Sequence, residues 1–535
     1  MSAHRPDARE FVELLVDPGT WRSWSAGSEQ AVTASADYAG QLARARERTG
    51  VDESIQTGEG LVHGRRVALA VSEFGFLGGS VGVAAAERLV RAIERAGAEG
   101  LPLIAAPASG GTRMQEGAIA FVQMLKISAA IGRHRASGLP YVVYLRDPTT
   151  GGVFASWGSL GHLTVAEPGA LVGFLGPRVL EAHGRPIPEG VQVAENLLRH
   201  GLVDAVVEPK DLRSFLDGAL DALTSAPPVA ARAPSPPRER LPAASSWESV
   251  ARSRASGRPS LRDMLARIGT SVTVLHGTAT EDNGDGLLVA VARFGDVPCV
   301  VVGHDRGPSN RPALVGPAGL RRVRRGMRLA TELGLPLVTV VDTAGAVLSR
   351  QAEEQGLAGQ IADGLAEMLA LPAATVCVLL GQGTGGAALA LLPADRVIAA
   401  QHSWLSPLAP EDASMILHRT TARAAEVAEL QGVQARDLHR NGIVDVVVAE
   451  HADAADDPAD LLDRLGRVLV HELDRLLRAD PGARLEARLD RYRRLGTSLV
   501  SAPTDPAAER CTGSNLGMGS TEPDRTAAPA AKPLG

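Results

Sequence analysis

Residues 100–111 read Gly-Leu-Pro-Leu-Ile-Ala-Ala-Pro-Ala-Ser-Gly-Gly, and residues 334–345 read Gly-Leu-Pro-Leu-Val-Thr-Val-Val-Asp-Thr-Ala-Gly. The two segments lie 234 positions apart, and the same offset sets Gly151-Gly152 on Gly385-Gly386. Gly201-Leu-Val-Asp204 returns as Gly442-Ile-Val-Asp445 at an offset of 241. Anchors that share one spacing mark an internal duplication. Each copy opens on short strands (Arg66–Ser72 in the first; Gly286–Arg293 and Pro298–Gly303 in the second), then runs through a helix to the Leu-Pro strand. A glycine loop with its helix, a second strand, and a second glycine loop with its helix follow. Strands alternating with helices in this way predict an α/β chain with buried, near-parallel strands.

Working outward, the 535 residues divide into two blocks, 1–225 and 260–500. Between them, residues 226–259 hold seven prolines with Ser, Ala and Arg and no sustained apolar period, which predicts an extended linker. Residues 501–535 share that character and are expected to be disordered. Hydrophobic residues make up 45% and charged residues 22%, so each block has material for a core.

Charge and counting exclude several functions. A net charge of −6 does not favour nucleic acid as a partner. Lys126, Lys210 and Lys532 are the only lysines, and none follows a glycine, so no phosphate loop of the G-x-x-x-x-G-K-[ST] type exists. No lysine sits between methionines, so any biotin arrives on another chain. Cys299, Cys377 and Cys511 are too few and too scattered for a tetrahedral zinc site, and no metal is expected. Residues 1–16 carry charges throughout and show no secretory signal, which with the sparse cysteines predicts a cytoplasmic protein. Met368–Ala394 is 27 residues without a charge, but Pro372, Pro393 and the glycine run inside it fit a buried strand (Ala374–Leu380), a loop and a small-residue helix, not a membrane span.

The glycine loops follow strands and precede helices. Free backbone N–H groups point outward at such junctions and the helix dipole adds positive potential, so an oxyanion is the natural guest. Three other patterns compete. Gly381-Gln-Gly-Thr-Gly-Gly386 satisfies the dinucleotide fingerprint, yet it is not in the first βα turn and no acid stands about 20 residues on. Gly78-Gly-Ser-Val-Gly82 satisfies G-x-S-x-G, which nominates Ser80 as a hydrolase nucleophile with Asp147 and His162, or as the cap of the next helix. Arg321, Arg324, Arg325 and Arg328 share one helical stripe, a solvated face or an attractor for phosphates or an acidic carrier.

Several stretches resemble the carboxyltransferase component of acyl-CoA carboxylases, of the bacterial acetyl-CoA type with β-like and α-like halves fused. In residues 8–222 these are SEFGFLGGSVG (72–82), ASGGTRMQEG (108–117), DPTTGGVFASWGSLGHLTVAEPGALVGFLGPRV (147–179) and HGLVDAVV (200–207). In residues 260–497 they are VDTAGA (341–346), GQGTGGAALAL (381–391), APEDASMIL (409–417) and RYRRLG (491–496). The resemblance implies two tandem crotonase-type (ClpP/crotonase-like) ββα-spiral domains. It also implies a coenzyme A thioester as acceptor, and carboxybiotin as donor on a separate biotin carboxyl carrier protein that a biotin carboxylase loads. A homo-oligomer, at least a dimer, belongs to the same expectation, because family sites lie between first-type and second-type domains.

Carried over by motif, Gly110 and Gly111 are expected to hold the thioester oxygen, and Gly386 and Ala387 the biotin carbonyl. Gly78, Gly79, Ser80, Arg113, Gly151, Gly152, Ala344, Gly345 and Gly385 are expected to line the substrates. Three departures stand out. The family's four-cysteine zinc ribbon is absent, Ala344 replaces the proline of D-T-P-G, and Gln355 replaces an arginine after Glu353-Glu354. The implied reaction is carboxyl transfer to acetyl-CoA or a homologue, giving malonyl-CoA or its homologue. Biotin-dependent decarboxylation of a malonyl-type thioester and a non-catalytic assembly subunit are the alternatives.

Overall fold

The computed structural model describes residues 5–24, 35–174, 188, 190–224, 233–236, 240–276, 286–306 and 310–496. The expected disorder of 501–535 lies outside them. Contacts within the chain group Met1–Arg493 as one unit and Arg494–Gly535 as another.

Among the described residues the first half carries β1 (Arg22–Ser23), β2 (Ile55–Val62), β3 (Arg65–Ser72), β4 (Leu103–Ala106), β5 (Tyr141–Leu145), β6 (Thr149–Thr150), β7 (Leu163–Ala166), β8 (Val172–Gly173) and β9 (Ala205–Val206). Its main sheet runs β1-β2-β3-β4-β5-β7-β9, while β6 and β8 pair separately. β2 and β3 are antiparallel about His63-Gly64, both at positive φ as a tight two-residue hairpin demands. From β3 onward the pairs are parallel.

The second half repeats this plan with β10 (Gly269–Leu275), β11 (Leu287–Phe294), β12 (Val297–His304), β13 (Ala313–Val315), β14 (Leu337–Ala346), β15 (Thr375–Thr384), β16 (Arg396–Ala400), β17 (Trp404–Ser406) and β18 (Val446–Val448). The order is β10-β11-β12-β14-β15-β16-β18, with β13 against β14 and β17 against β15. The antiparallel pair β11/β12 answers β2/β3, and the Leu-Pro strands β4 and β14 take the same place in the two sheets.

Strands buried on both faces explain the unbroken apolar runs. One face of the first sheet is covered by Leu89 and Ile93 of the helix Val83–Ala98 and by Ile127 and Ile131 of the helix Gly117–Ala136. Its other face shares a core with Leu212, Leu216 and Leu220 of the helix Pro209–Thr224. That same core continues into Val289, Val291, Val300 and Val302 of the second sheet, so the Pro209 helix is packed between the halves. The far face of the second sheet is sealed by Leu461, Leu465, Leu469 and Leu473 of the helix Pro458–Leu477. At the base of this sheet the buried Arg488 donates to the carbonyls of Met368, Leu371 and Ala373 and to Asp395.

The stretch expected to be an extended linker is partly structured. Residues Ser246–Ser253 form a helix capped by the Ser245 hydroxyl, and Arg258 is buried in a two-pronged pair with Glu450. Proline and arginine counts hide this, because the anchoring partners lie about 150 to 200 residues later. The uncharged stretch 368–394 is β15 with a short helix after it, and no helix among the described residues is long and apolar enough to cross a membrane. β15 runs on through Thr384, past the Leu380 end expected for this strand.

Candidate active site

In each half, two glycine loops stand side by side at the ends of neighbouring parallel strands. The Ser109 hydroxyl accepts the Gly111 N–H at 3.0 Å, and the Thr343 hydroxyl accepts the Gly345 N–H at 3.1 Å. Gly111 and Gly345 both have φ in the range that favours glycine, 111° and 126°. The duplication therefore extends to single hydrogen bonds.

In the first half the loop 78–82 is laced to the loop 108–113. Gly110 donates its N–H to Gly78 O at 2.9 Å, Val81 to Gly111 O at 2.9 Å, and Arg113 to Val81 O at 3.0 Å. A Cβ at Gly79 would overlap the Ala108 carbonyl oxygen. Both N–H groups expected as oxyanion donors are bonded inside the chain in this structure, Gly110 to Gly78 O and Gly111 to the Ser109 hydroxyl. Gly111 packs on the second loop, where its Cβ would lie 3.5 Å from the Gly152 nitrogen. Gly151 donates to Phe174 O, whereas Gly152 sits in the first turn of the short helix Gly151–Phe154, which no side chain caps. A first-turn N–H has no carbonyl four residues back within the helix.

The second half matches this. Gly386 and Ala387 lie in the first turn of the helix Gly385–Leu389, again without a side-chain cap. Ala387 is fully buried, and a Cβ on Gly386 would meet Ile361 at 2.9 Å, so this turn is closely packed and leaves no room for a side chain at 386. Gly345 lies against Thr384, just before that helix, and the neighbouring Ala344 is half-buried.

Residues 229–496 match the family described as acetyl co-enzyme A carboxylase carboxyltransferase-like. The "Probable biotin-dependent acyl-coenzyme A carboxylase beta3 subunit" of Mycobacterium tuberculosis is 55% identical over 492 residues, which span 91% of this chain and 98% of its own. The chain belongs to the acyl-CoA carboxylase carboxyltransferase family. The acetyl-coenzyme A carboxylase carboxyl transferase subunits beta/alpha of Salinispora arenicola are 38% identical over 521 residues, 93% of this chain and 92% of theirs. Among solved structures, transcarboxylase 12S superposes with a TM-score of 0.67 at 21% identity over 86% of this chain and 89% of that one, a likeness of fold. The fold is that of the crotonase-type carboxyltransferases.

In this carboxyltransferase the Arg113 side chain is turned into the protein interior. It is fully buried, and the guanidinium is taken up by Glu53, by Ser54 Oγ and by Ser80 O. Glu116 completes the clasp by accepting the Tyr38 hydroxyl and the Val83 N–H. Sequence reading missed Glu53, Tyr38 and Glu116, since nothing local ties 38, 53 and 116 together. Glu116 also does the capping expected of Ser80, whose hydroxyl donates to Leu77 O at 2.8 Å.

The hydrolase triad is not assembled. Asp147 accepts the Leu171 N–H and pairs with Arg5, and the His162 ring lies between the Tyr141 N–H and Glu332. His162 Nδ1 accepts a backbone N–H, so Nε2 carries the proton and donates to Glu332 at 3.0 Å. Two members of the arginine stripe are spent internally: Arg324 pairs with Asp363 and Glu367, and Arg325 with Asp204. Among the described residues no group of three His, Cys, Asp or Glu is placed to hold a metal.

Proposed function

We propose that this carboxyltransferase moves a carboxyl group from carboxybiotin, delivered by a separate carrier protein that a biotin carboxylase charges, to the α-carbon of an acyl-CoA such as acetyl-CoA. The observation that carries this reading is the duplicated pair of uncapped first-turn N–H sites, Gly152 in one half and Gly386-Ala387 in the other. Carboxybiotin supplies the carboxyl group and, once that has left, the base for the α-proton. The transfer develops negative charge on two oxygens, one on the ureido ring and one on the thioester. Gly386 and Ala387 hold the first and Gly152 holds the second. Preorganised donors of this kind are each worth about 3 kcal/mol in a water-poor site.

The 55% identity to a relative named for biotin-dependent acyl-CoA carboxylation supports the same reading. Exposed apolar side chains follow each loop region, Met114, Ile119, Phe121 and Leu125 in the first half and Met415, Ile416 and Leu417 in the second. Such surfaces support a homo-oligomer of at least two chains. Buried, unbridged Cys299 and Cys377 are consistent with a cytoplasmic setting.

The test is mass spectrometry of products from a panel of acyl-CoAs with carboxybiotin on its carrier. A carboxylated thioester from at least one of them is expected. Decarboxylation of carboxybiotin without any carboxylated thioester across the panel would overturn the reading.

A further inference from the structure

Beneath the second-half loops lies a polar pair that no step above has used. The side chains of Arg306 and Asp342 are each 1% exposed, and Arg306 Nε donates to Asp342 Oδ2 at 2.6 Å. The other carboxylate oxygen, Oδ1, accepts the Gln382 N–H at 2.9 Å. Gln382 stands near the end of β15, three residues before the helix whose first turn carries Gly386 and Ala387. A Cβ at Gly381 would overlap Asp342 Oδ1, so the chain is glycine where it passes this carboxylate. The free prongs of Arg306 reach outward, to Ser253 O at 2.8 Å, Ala255 O at 3.1 Å and Asn310 O at 3.3 Å. The pair thereby joins segments remote in sequence: the middle of β14, the end of β15, and residues 253–255 at and just after the end of the helix Ser246–Ser253.

We infer that Asp342 is a positioning residue for the second-half donors, its carboxylate fixing the end of β15, and with it the Gly386 and Ala387 N–H groups, while Arg306 anchors that carboxylate to the 253–255 segment. The inference rests on the proposed function for its kinetic consequence but not for its structural one. Asp342 touches no reacting atom in this scheme. Displacing aligned donors by about 1 Å is enough to lose about 10² in rate.

The experiment compares the full-length wild type with D342A, D342N and G381A, each shown to keep its oligomer size. Hydrogen exchange of the peptide covering 381–391 is read first, since it needs no knowledge of the substrate. Faster exchange is expected in D342A and G381A, with D342N between them and the wild type, because its amide oxygen still accepts the Gln382 N–H while its NH2 group meets the Arg306 Nε–H donor and loses that anchor. In carboxyl transfer, D342A and G381A are expected to lose about 10² in kcat with KM for acyl-CoA unchanged, and D342N to lose less, since it keeps the Gln382 contact and gives up only the Arg306 one. Should D342A not fold, G381A carries the test, since it displaces the same contact without burying a lone arginine. Unchanged exchange of 381–391 in folded D342A or G381A would overturn the inference. So would wild-type kcat in either variant. If the exchange rises but the wild type transfers no carboxyl group to any acyl-CoA, the positioning role stands and the proposed function falls.

Discussion

The guanidinium of Arg325, in the helix Pro317–Leu333, lies 2.8 and 2.9 Å from the two carboxylate oxygens of Asp204, in the other half of the chain. Asp204 is also the acceptor for the Thr164 N–H, at 2.9 Å, which fixes the start of β7. The Gly-Leu-Val-Asp motif repeats at Asp445, whose carboxylate accepts the Val397 N–H at the start of β16 and pairs with Arg396 and Arg491. Each copy thus ends on an aspartate that ties a parallel strand, and in the first copy its counter-ion comes from the second.

Arg325→Met is expected to destabilise the protein by about 3 kcal/mol, because it removes the two-pronged cationic partner of a carboxylate that is only 1% exposed. Urea unfolding checks this. Pairing the change with Asp204→Asn is expected to recover part of the loss.

Arg113→Lys keeps the charge but not the fork that engages Glu53, Ser54 and Ser80 together. The expected result is a stability loss of about 3 kcal/mol with KM for acyl-CoA unchanged. A rise in KM without loss of thermal stability would instead place the side chain against substrate.

Gly111→Val is expected to slow α-proton exchange of the acyl-CoA by about 10²-fold. The cause is crowding, since Gly111 has φ of 111° and its Cβ would lie 3.5 Å from the Gly152 nitrogen. Ser109→Ala separates this from a donor role. It frees the Gly111 N–H, and the expected outcome is about 1–3 kcal/mol of lost stability with no gain in exchange rate.

Acid is expected to weaken the fold in two stages at the junction of His162, Arg135 and Glu332. Burial holds the His162 ring below its ordinary 6.5, so the unfolded chain binds more protons and stability is lost as pH falls below 6.5. The His162 N–H and the Arg135 guanidinium hold Glu332 down at about 2, against an ordinary 4.5. Its contribution is present above 4.5 and is lost as pH falls toward 2. Unfolding midpoints measured across this range are expected to fall less steeply below pH 6.5 in H162N and less steeply below 4.5 in E332Q.

Periodicity and glycine spacing suffice for the architecture because a parallel strand buried on both faces must be apolar throughout and its turn into a helix demands glycine. The repeat survives at the level of Ser109 and Thr343 for that reason. The bonding inside the first-half loop was not legible. Nothing local to Ser-Gly-Gly shows that Gly78, some thirty residues earlier, brings its carbonyl to the Gly110 N–H. Arg113 is likewise indistinguishable from a phosphate-binding arginine until Glu53 is folded against it. The arginine stripe at 321–328 reads as a solvated face because Asp204, Asp363 and Glu367 announce no pairing in sequence. Where a partner is remote and polar, local pattern carries no trace of it.

The Pro209–Thr224 helix belongs to the first half by sequence and to both halves by packing. A polypeptide cut between Thr224 and Ser245 would leave two fragments whose mutual surface is already a hydrophobic core, so they would meet as subunits instead of remaining neighbours by covalent bond. Joined in one chain, the two halves meet at an effective concentration set by the chain itself and not by the bulk protein concentration. Fusion of the two halves in one gene product therefore removes dilution as a hazard and fixes their stoichiometry at one to one, without asking for a single new contact.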